Sequence, residues 1–142
     1  MDRKSDKYKD ALMGTARIWA QQSYCNKRKV GAVIEQGGRI LSTGFNGTEP
    51  GDCNVCEFPD GSTDHNRVVH AERNAITFLP KEISDVRMTM WCTTAPCINC
   101  AKLILDVGNI RRVVYDDIYK NEDGVNLLLE NGIKVVKFSE LE

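Results

Sequence analysis

The sequence predicts an α/β fold, a three-layer α/β/α arrangement around a mixed five-stranded sheet. Its pattern begins with an amphipathic helix and a β-hairpin, continues through an irregular loop, and then alternates between helices and strands. A hairpin joins antiparallel strands, whereas strands that alternate with helices pair in parallel and are covered on both faces. The chain has 142 residues with no internal repeat and no linker. We therefore expect a single domain over residues 1–142.

The first part of the chain supplies one helix and the hairpin. Residues 5–24 carry an approximate helical stripe of apolar side chains, with Ser5 as the expected N-cap. Strands are expected over residues 30–35 and 39–45. Between them stands Gly37-Gly38, a pair that is typical of a hairpin turn.

The second part of the chain alternates between helices and strands. Helices are expected over residues 70–79, 97–106 and 124–131, and strands over residues 86–93, 111–115 and 133–138. Pro96 stands at the expected start of the second of these helices, where proline is favoured. Gly132 is the expected C-cap of the third.

The composition is that of an ordinary soluble globular protein. Hydrophobic residues make up 42% of the chain and charged residues 27%, and the net charge is −1. The apolar runs are too short to cross a membrane, and Met1-Asp2-Arg3-Lys4 leads to no secretory signal. We therefore expect the cytoplasm of a cell or of an infected host, with no membrane partner. The near-neutral, interspersed charge argues against a nucleic-acid partner, which normally meets a basic face.

Two short stretches supply a catalytic metal site. His70-Ala71-Glu72 offers an imidazole and a carboxylate, and Pro96-Cys97-Ile98-Asn99-Cys100 offers two thiolates on one helical face. One nitrogen and two sulfurs suit Zn²⁺, and three protein ligands leave the fourth position to water. Zinc lowers the pKa of that water to about 7. Glu72 is close enough to the metal to shuttle a proton from this water to a leaving amine.

Each motif is weak alone, but the combination is specific. His-x-Glu followed by Pro-Cys-x-x-Cys is the signature of zinc nucleobase deaminases. Two alternatives stay open. In one, Cys97 and Cys100 form half of a structural zinc knot, and Glu72 is an ordinary surface residue. In the other, Cys-x-x-Cys is a redox motif, although no thioredoxin-like strand precedes it.

The irregular loop over residues 48–66 carries a second group of metal-ligand types. Cys53, Cys56 and His65 lie in this loop, and Cys25 precedes the hairpin. These side chains could hold a second, structural zinc of the Cys₃His type, which would stabilise a loop with little core of its own. The alternative is a set of free thiols, since cysteines of a cytosolic chain favour metal binding or catalysis over disulfides.

The chain closely resembles the deoxycytidylate (dCMP) deaminases of the cytidine deaminase superfamily over nearly its whole length. The similar segments are Lys27-Arg28-Lys29-Val30-Gly31-Ala32-Val33-Ile34, Gly44-Phe45-Asn46-Gly47, His70-Ala71-Glu72-Arg73-Asn74-Ala75-Ile76, Pro96-Cys97-Ile98-Asn99-Cys100-Ala101-Lys102 and Asp117-Ile118-Tyr119. The resemblance implies a cytidine-deaminase-like fold. It also implies a hydrolase that deaminates dCMP to dUMP and ammonia and so feeds dTTP synthesis.

The resemblance assigns individual roles. It makes His70, Cys97 and Cys100 the ligands of the catalytic zinc and Glu72 the proton shuttle. The residues that it implies at the substrate are Asn46 (deoxyribose or phosphate), Arg28 and Tyr119 (5′-phosphate), and the backbone of Ala71 and Ala95 (pyrimidine). Some viral and bacterial relatives carry an extra zinc in the loop after the hairpin, where Cys25, Cys53 and His65 fall in comparable positions.

The resemblance also implies partners and regulation. Members of the family are often homo-hexamers that dCTP activates and dTTP inhibits at a separate site. The segment Gly44-Phe45-Asn46-Gly47 is a candidate part of that nucleotide site. Three other functions stay open: a deaminase that also accepts dCTP, a nucleic-acid deaminase, and a zinc-stabilised nucleotide sensor without turnover. The presence of Glu72 argues against the sensor.

Overall fold

The structure is a computed structural model that describes residues 4–81, 87–118 and 121–141. The α-helices within these ranges are α1 (Lys9–Ala20), α2 (Ala71–Thr77), α3 (Ile98–Val107) and α4 (Asp123–Glu130). The strands within them are β1 (Gly31–Gln36), β2 (Arg39–Phe45), β3 (Gly47–Thr48), β4 (Val68–Val69), β5 (Met88–Thr94), β6 (Ile110–Asp117) and β7 (Lys134–Lys137). None of the described helices is long and apolar enough to cross a membrane.

The central sheet has five strands in the order β2-β1-β5-β6-β7. Strand β1 pairs antiparallel with both β2 and β5, whereas β6 pairs parallel with β5 and β7. The hairpin turns at Gly37-Gly38, where both residues have positive φ, and Gln36 pairs with Arg39. The mixed sheet and the hairpin predicted from the sequence are therefore confirmed.

Helices cover both faces of this sheet. Successive side chains of a strand point to opposite faces, so the strands contribute to two separate clusters. On one face, Val33, Trp91 and Val114 pack with the buried side chains of α1. On the other face, Ile34 and Met90 pack with buried side chains of α2, α3 and α4. This confirms the predicted three layers.

The N-terminal helix differs from its prediction. A 3₁₀ turn covers Lys4–Tyr8, and α1 begins only at Lys9, without a side-chain cap. Ser5 is buried, and its Oγ accepts a hydrogen bond of 3.0 Å from Arg112 Nη2. Arg112 is also buried and pairs with Asp6 at 2.8 Å. The prediction of Ser5 as N-cap is wrong, because a buried guanidinium needs partners and takes the hydroxyl as one of them.

The irregular loop is more ordered than its composition suggests. The short strand β3 pairs antiparallel with β4, and these strands connect the hairpin to α2. A further antiparallel bridge joins Glu57 and Thr63 within the loop. Two-residue strands show no periodicity in sequence, so the local pattern predicted neither β3 nor β4.

Gly31 begins β1 at the place where the backbone of α1 lies directly on the sheet. A Cβ at Gly31 would overlap the carbonyl oxygen of Ala16 and lie 2.7 Å from the nitrogen of Ala20. We expect Gly31→Ala to lower the free energy of unfolding by about 1–3 kcal/mol, as overpacking does.

The control for this prediction is Gly14→Ala, in the helix α1 that packs on Gly31. A Cβ at Gly14 would meet nothing within 4 Å, so the variant should gain about 1 kcal/mol of stability from helix propensity. Urea unfolding of both variants measures the difference. Equal effects of the two substitutions would contradict the proposed packing.

Candidate active site

The two predicted motifs lie at the N-termini of neighbouring helices. His70 is the N-cap of α2 and Cys97 is the N-cap of α3, and both have extended backbone angles. Cys100 lies in the first turn of α3, on the same face as Cys97. Because α2 and α3 pack against the same face of the sheet, their N-termini bring the imidazole and the two thiols together.

The three predicted zinc ligands meet at one point. His70 Nδ1 lies 3.3 Å from Cys100 Sγ and 3.5 Å from Cys97 Sγ. The three donor atoms all lie within 4.8 Å of one another. The bond lengths of tetrahedral zinc place a nitrogen and a sulfur ligand about 3.5 Å apart. The donor types and their spacing therefore fit zinc, with one coordination position left for water or substrate.

Hydrogen bonds among these donors favour a thiolate. The hydrogen bond from Cys100 and a further one from His70 lower the pKa of Cys97 to about 3. The same contact with Cys97, together with burial, raises the pKa of Cys100. The hydrogen bond to Cys97 also raises the pKa of His70. Metal binding would displace the protons that the metal-free donors share.

Glu72 is a buried carboxylate beside the three donors. It is the second residue of α2, is only 4% exposed, and lines the same pocket as His70 and Cys97. Burial raises the pKa of Glu72 to about 7, because the charged carboxylate loses its hydration. Such a group can accept and donate a proton near neutral pH, which is the property that a proton shuttle needs.

One pocket collects most of the residues that were predicted to contact substrate. Its lining includes the predicted contacts Arg28, Asn46, Ala71 and Ala95. Tyr119, the remaining one, lies outside the described residues. The metal donors and the predicted substrate contacts therefore share one pocket.

Hydrogen bonds of Arg28 and Asn46 organise this part of the pocket and bring in two further residues, Thr94 and Asp117. Asn46 holds the backbone here, since its Oδ1 accepts from the Val30 N–H and its Nδ2 donates to the Arg28 carbonyl, both at 2.8 Å. Arg28 Nη2 donates to Thr94 Oγ1 at 2.9 Å and to Asp117 Oδ1 at 2.8 Å. Neither Thr94 nor Asp117 was predicted as a site residue. They are paired positions at the ends of β5 and β6, and no local sequence signal reveals that pairing.

A family comparison agrees with this geometry. A family model described as the cytidine and deoxycytidylate deaminase zinc-binding region matches residues 6–116. The chain belongs to the cytidine and deoxycytidylate deaminase family. The matched range contains the three metal donors and Glu72, so the resemblance stated from the motifs is confirmed.

Individual deaminases of this family match most of the chain. The deoxycytidylate deaminase of Enterobacteria phage T4 is 35% identical over an alignment that covers 87% of this chain and 86% of the relative. The deoxycytidylate deaminase of Saccharomyces cerevisiae is 34% identical over 92% of this chain, which corresponds to 45% of the yeast protein. The crystal structure of dCMP deaminase from cyanophage S-TIM5, in complex with dCMP and dUMP, has a TM-score of 0.85. It is 38% identical and covers 92% of this chain and 96% of its own.

The four residues predicted to hold a structural zinc do not form one donor group in this deaminase. Cys25 and Cys56 are joined by a disulfide, with their Cα atoms 5.2 Å apart. Cys53 is exposed, with its Sγ 3.4 Å from Arg67 Nη1, and His65 lines the active-site pocket. The structure contradicts the predicted Cys₃His set of Cys25, Cys53, Cys56 and His65. The sulfurs of Cys25 and Cys56 are bonded to each other and are not free thiolates, and the donor group that contains them is completed by Glu57, not by Cys53 or His65. The loop folds close enough to Cys25 for a covalent bond.

A second cavity lies beside the segment Gly44-Phe45-Asn46-Gly47. Its lining includes Gly44, Phe45, Gly47, Trp19, Tyr24, Glu49 and Phe78. Asn46, in the middle of the segment, lines the active-site pocket instead. The segment therefore separates the two cavities and contributes residues to both.

We expect the purified protein to bind one zinc ion per chain at the His70, Cys97 and Cys100 donors. Cys97→Ala should weaken zinc binding by more than about 100-fold. Substituting a residue that only hydrogen-bonds to a metal ligand already lowers metal affinity by about 10–100-fold, and Cys97 is itself a proposed ligand. Competition with a chromophoric chelator measures the affinity. Cys53→Ala is the control, because Cys53 is an exposed thiol outside this donor group. Unchanged zinc affinity of the Cys97→Ala variant would contradict the assignment.

Proposed function

We propose that the protein catalyses the hydrolytic deamination of dCMP, which converts dCMP and water into dUMP and ammonia and feeds dTTP synthesis. The proposal rests on the buried carboxylate of Glu72 beside the His70, Cys97 and Cys100 donors in one pocket. The names of the T4 and yeast relatives, and the dCMP and dUMP bound in the cyanophage structure, support this substrate.

In this proposal Glu72 carries out every proton transfer. Zinc held by His70, Cys97 and Cys100 supplies the Lewis acidity that lets water lose a proton near neutral pH. Glu72 accepts that proton as the water oxygen adds to C4 of the pyrimidine, and it then protonates N3. A second proton passes from the hydroxyl added at C4 through Glu72 to the amine, which leaves as ammonia as the C4–N bond breaks and the C4 carbonyl forms. Because burial raises the pKa of Glu72 to about 7, one carboxyl serves as base and as acid.

The substrate would be held by side chains and by backbone. We assign the 5′-phosphate to Arg28, since two hydrogen bonds to a charged group give roughly 10²- to 10⁴-fold preference for nucleotide over nucleoside. Ala95 would offer its carbonyl oxygen to the pyrimidine amine, because its N–H already donates to the Asp117 carbonyl at 2.8 Å. Ala71 backbone would face the pyrimidine carbonyl. Asn46 would contact the deoxyribose. Its two hydrogen bonds to the backbone use one N–H and one oxygen lone pair of the amide, so one N–H and one lone pair remain for a sugar hydroxyl.

A substrate panel tests the proposed reaction. Ammonia release is measured with dCMP, dCTP and deoxycytidine, on protein whose zinc has been counted. The proposal requires dCMP to have the highest kcat/KM. Comparable turnover of dCTP would favour a broader nucleotide deaminase. A zinc-loaded protein that turns over none of the three would overturn the proposal in favour of a nucleic-acid substrate or a nucleotide sensor.

Glu72→Gln tests the proton transfers. We expect kcat with dCMP to fall by about 10²- to 10⁴-fold, since an amide cannot accept the proton. Zinc content should stay at the wild-type level, because Glu72 lies outside the metal donor group. Glu130→Gln, at the exposed end of α4, makes the same change away from the pocket and should leave kcat unaltered. Full activity of the Glu72→Gln variant would rule out the shuttle.

We further propose that the second cavity is a regulatory nucleotide site in a homo-oligomer, with a hexamer as the expected form. The segment Gly44-Phe45-Asn46-Gly47 supports this, because it contributes to both cavities. The described lining of the second cavity contains Glu49 and no lysine or arginine. A triphosphate bound there would need cations from a second copy of the chain, which ties regulation to assembly.

Effector assays test this proposal. We expect dCTP to raise and dTTP to lower the rate of dCMP deamination. Trp19→Ala should weaken both responses, because Trp19 lines the cavity and stacks on Phe45 with ring centroids 6.0 Å apart. Ile18→Ala is the matched control, since Ile18 is exposed and is not in the cavity lining. Wild-type rates that ignore both nucleotides would contradict the regulatory site.

A further inference from the structure

Asp117 lies at the end of β6, beside the arginine that we assign to the substrate phosphate. Its Oδ1 accepts from Arg28 Nη2 at 2.8 Å, and its side chain is 64% exposed. We propose that Asp117 sets the phosphate count of the substrate: its charge beside Arg28 allows a monophosphate and penalises a triphosphate. This inference rests on the proposed function, because it concerns the same pocket.

The sheet determines the position of the Asp117 carboxylate. Thr94 and Asp117 are paired positions of the parallel strands β5 and β6. The backbone carbonyl of Asp117 accepts from the Ala95 N–H at 2.8 Å, and Thr94 and Ala95 both line the pocket. Arg28 Nη2 bonds Thr94 Oγ1 as well as Asp117 Oδ1. The carboxylate is therefore held at the edge of the pocket by strand pairing and by a shared guanidinium nitrogen.

Carboxylates flank the cations at this edge. Lys27 and Arg28 both line the pocket, and so does Glu57. The Glu57 carboxylate accepts a hydrogen bond of 3.1 Å from the Lys27 backbone N–H. Together with Asp117 at Arg28, it adds a second carboxylate to this part of the pocket edge. A monophosphate can meet a cation directly, whereas a triphosphate extends further and brings additional negative charge near these carboxylates.

The size of the effect follows from Coulomb's law in water. A single pair of unit charges separated by roughly 8 Å in solvent changes an equilibrium about twofold. The several additional charges of a triphosphate multiply this effect, so removal of the Asp117 charge should favour dCTP over dCMP by about fivefold. Because Asp117 is exposed, the effect should shrink as salt is added.

The experiment compares kcat/KM for dCTP and for dCMP in the zinc-loaded wild-type protein and in Asp117→Asn. The asparagine keeps the size of the side chain and the backbone bond to Ala95 and removes only the charge. We expect the ratio of dCTP to dCMP to rise about fivefold at low salt and to return toward the wild-type ratio at high salt. Asp117→Glu, which restores the charge, should bring the ratio back toward wild type.

Asp116→Asn is the matched control. The neighbouring carboxylate pairs with Arg17 Nε of α1 at 2.9 Å, and successive residues of a strand face opposite sides of the sheet. The control should leave the ratio of dCTP to dCMP unchanged.

Two results would overturn the inference. One is a ratio that stays at the wild-type value in Asp117→Asn, and the other is a ratio that rises equally in Asp116→Asn or in Asp117→Glu. If the wild-type protein deaminates no nucleotide, the proposed function fails. If it deaminates dCMP and the ratio does not respond, only the role of Asp117 fails.

Discussion

The site depends on the close approach of two helix N-termini, which lets one imidazole and two sulfurs meet within 4.8 Å. Backbone contacts at two glycines make this approach possible. A Cβ at Gly44 of β2 would lie 2.6 Å from the nitrogen of Ala75, so α2 rests directly on the strand. A Cβ at Gly124 of α4 would lie 2.7 Å from the carbonyl carbon of Cys97, so α4 presses on the start of α3. Larger residues would push either helix away from the shared donors.

Among the described residues, two buried glutamates have different surroundings: Glu35 has a structural role, and Glu72 has the properties of a proton-transfer group. Glu35 is fully buried, but one oxygen accepts from Trp91 Nε1 at 2.7 Å and the other accepts from the Gly38 N–H at 2.8 Å. Its hydrogen bonds satisfy the carboxylate and stabilise the hairpin turn. Glu72 lines the pocket instead, and burial raises its pKa to about 7. Perturbed carboxyl groups of this kind concentrate at sites where proton transfer occurs.

The loop over residues 48–66 forms a wall of the pocket and is held there by two kinds of bond. Cys56 is linked covalently to Cys25, and Glu57 accepts from the backbone N–H groups of Asn26 and Lys27 at 2.9 and 3.1 Å. Both connections join the loop to the segment that leads into Arg28. A loop with little core of its own needs such a constraint, and a disulfide supplies what the sequence predicted a metal would supply.

The sequence by itself determined the features that depend on residue types at short spacing: the hairpin turn at Gly37-Gly38, the His70 and Glu72 pair, and Cys97 with Cys100. Capping, turn formation and helical spacing act over a few residues, so local patterns were sufficient. Only the tertiary structure decided which distant groups meet. Thr94 and Asp117 at Arg28, Cys25 at Cys56, and Ser5 at Arg112 are examples. Strand register places Thr94 beside Asp117, and the buried charge of Arg112 requires a partner such as Ser5. Both effects depend on the whole fold.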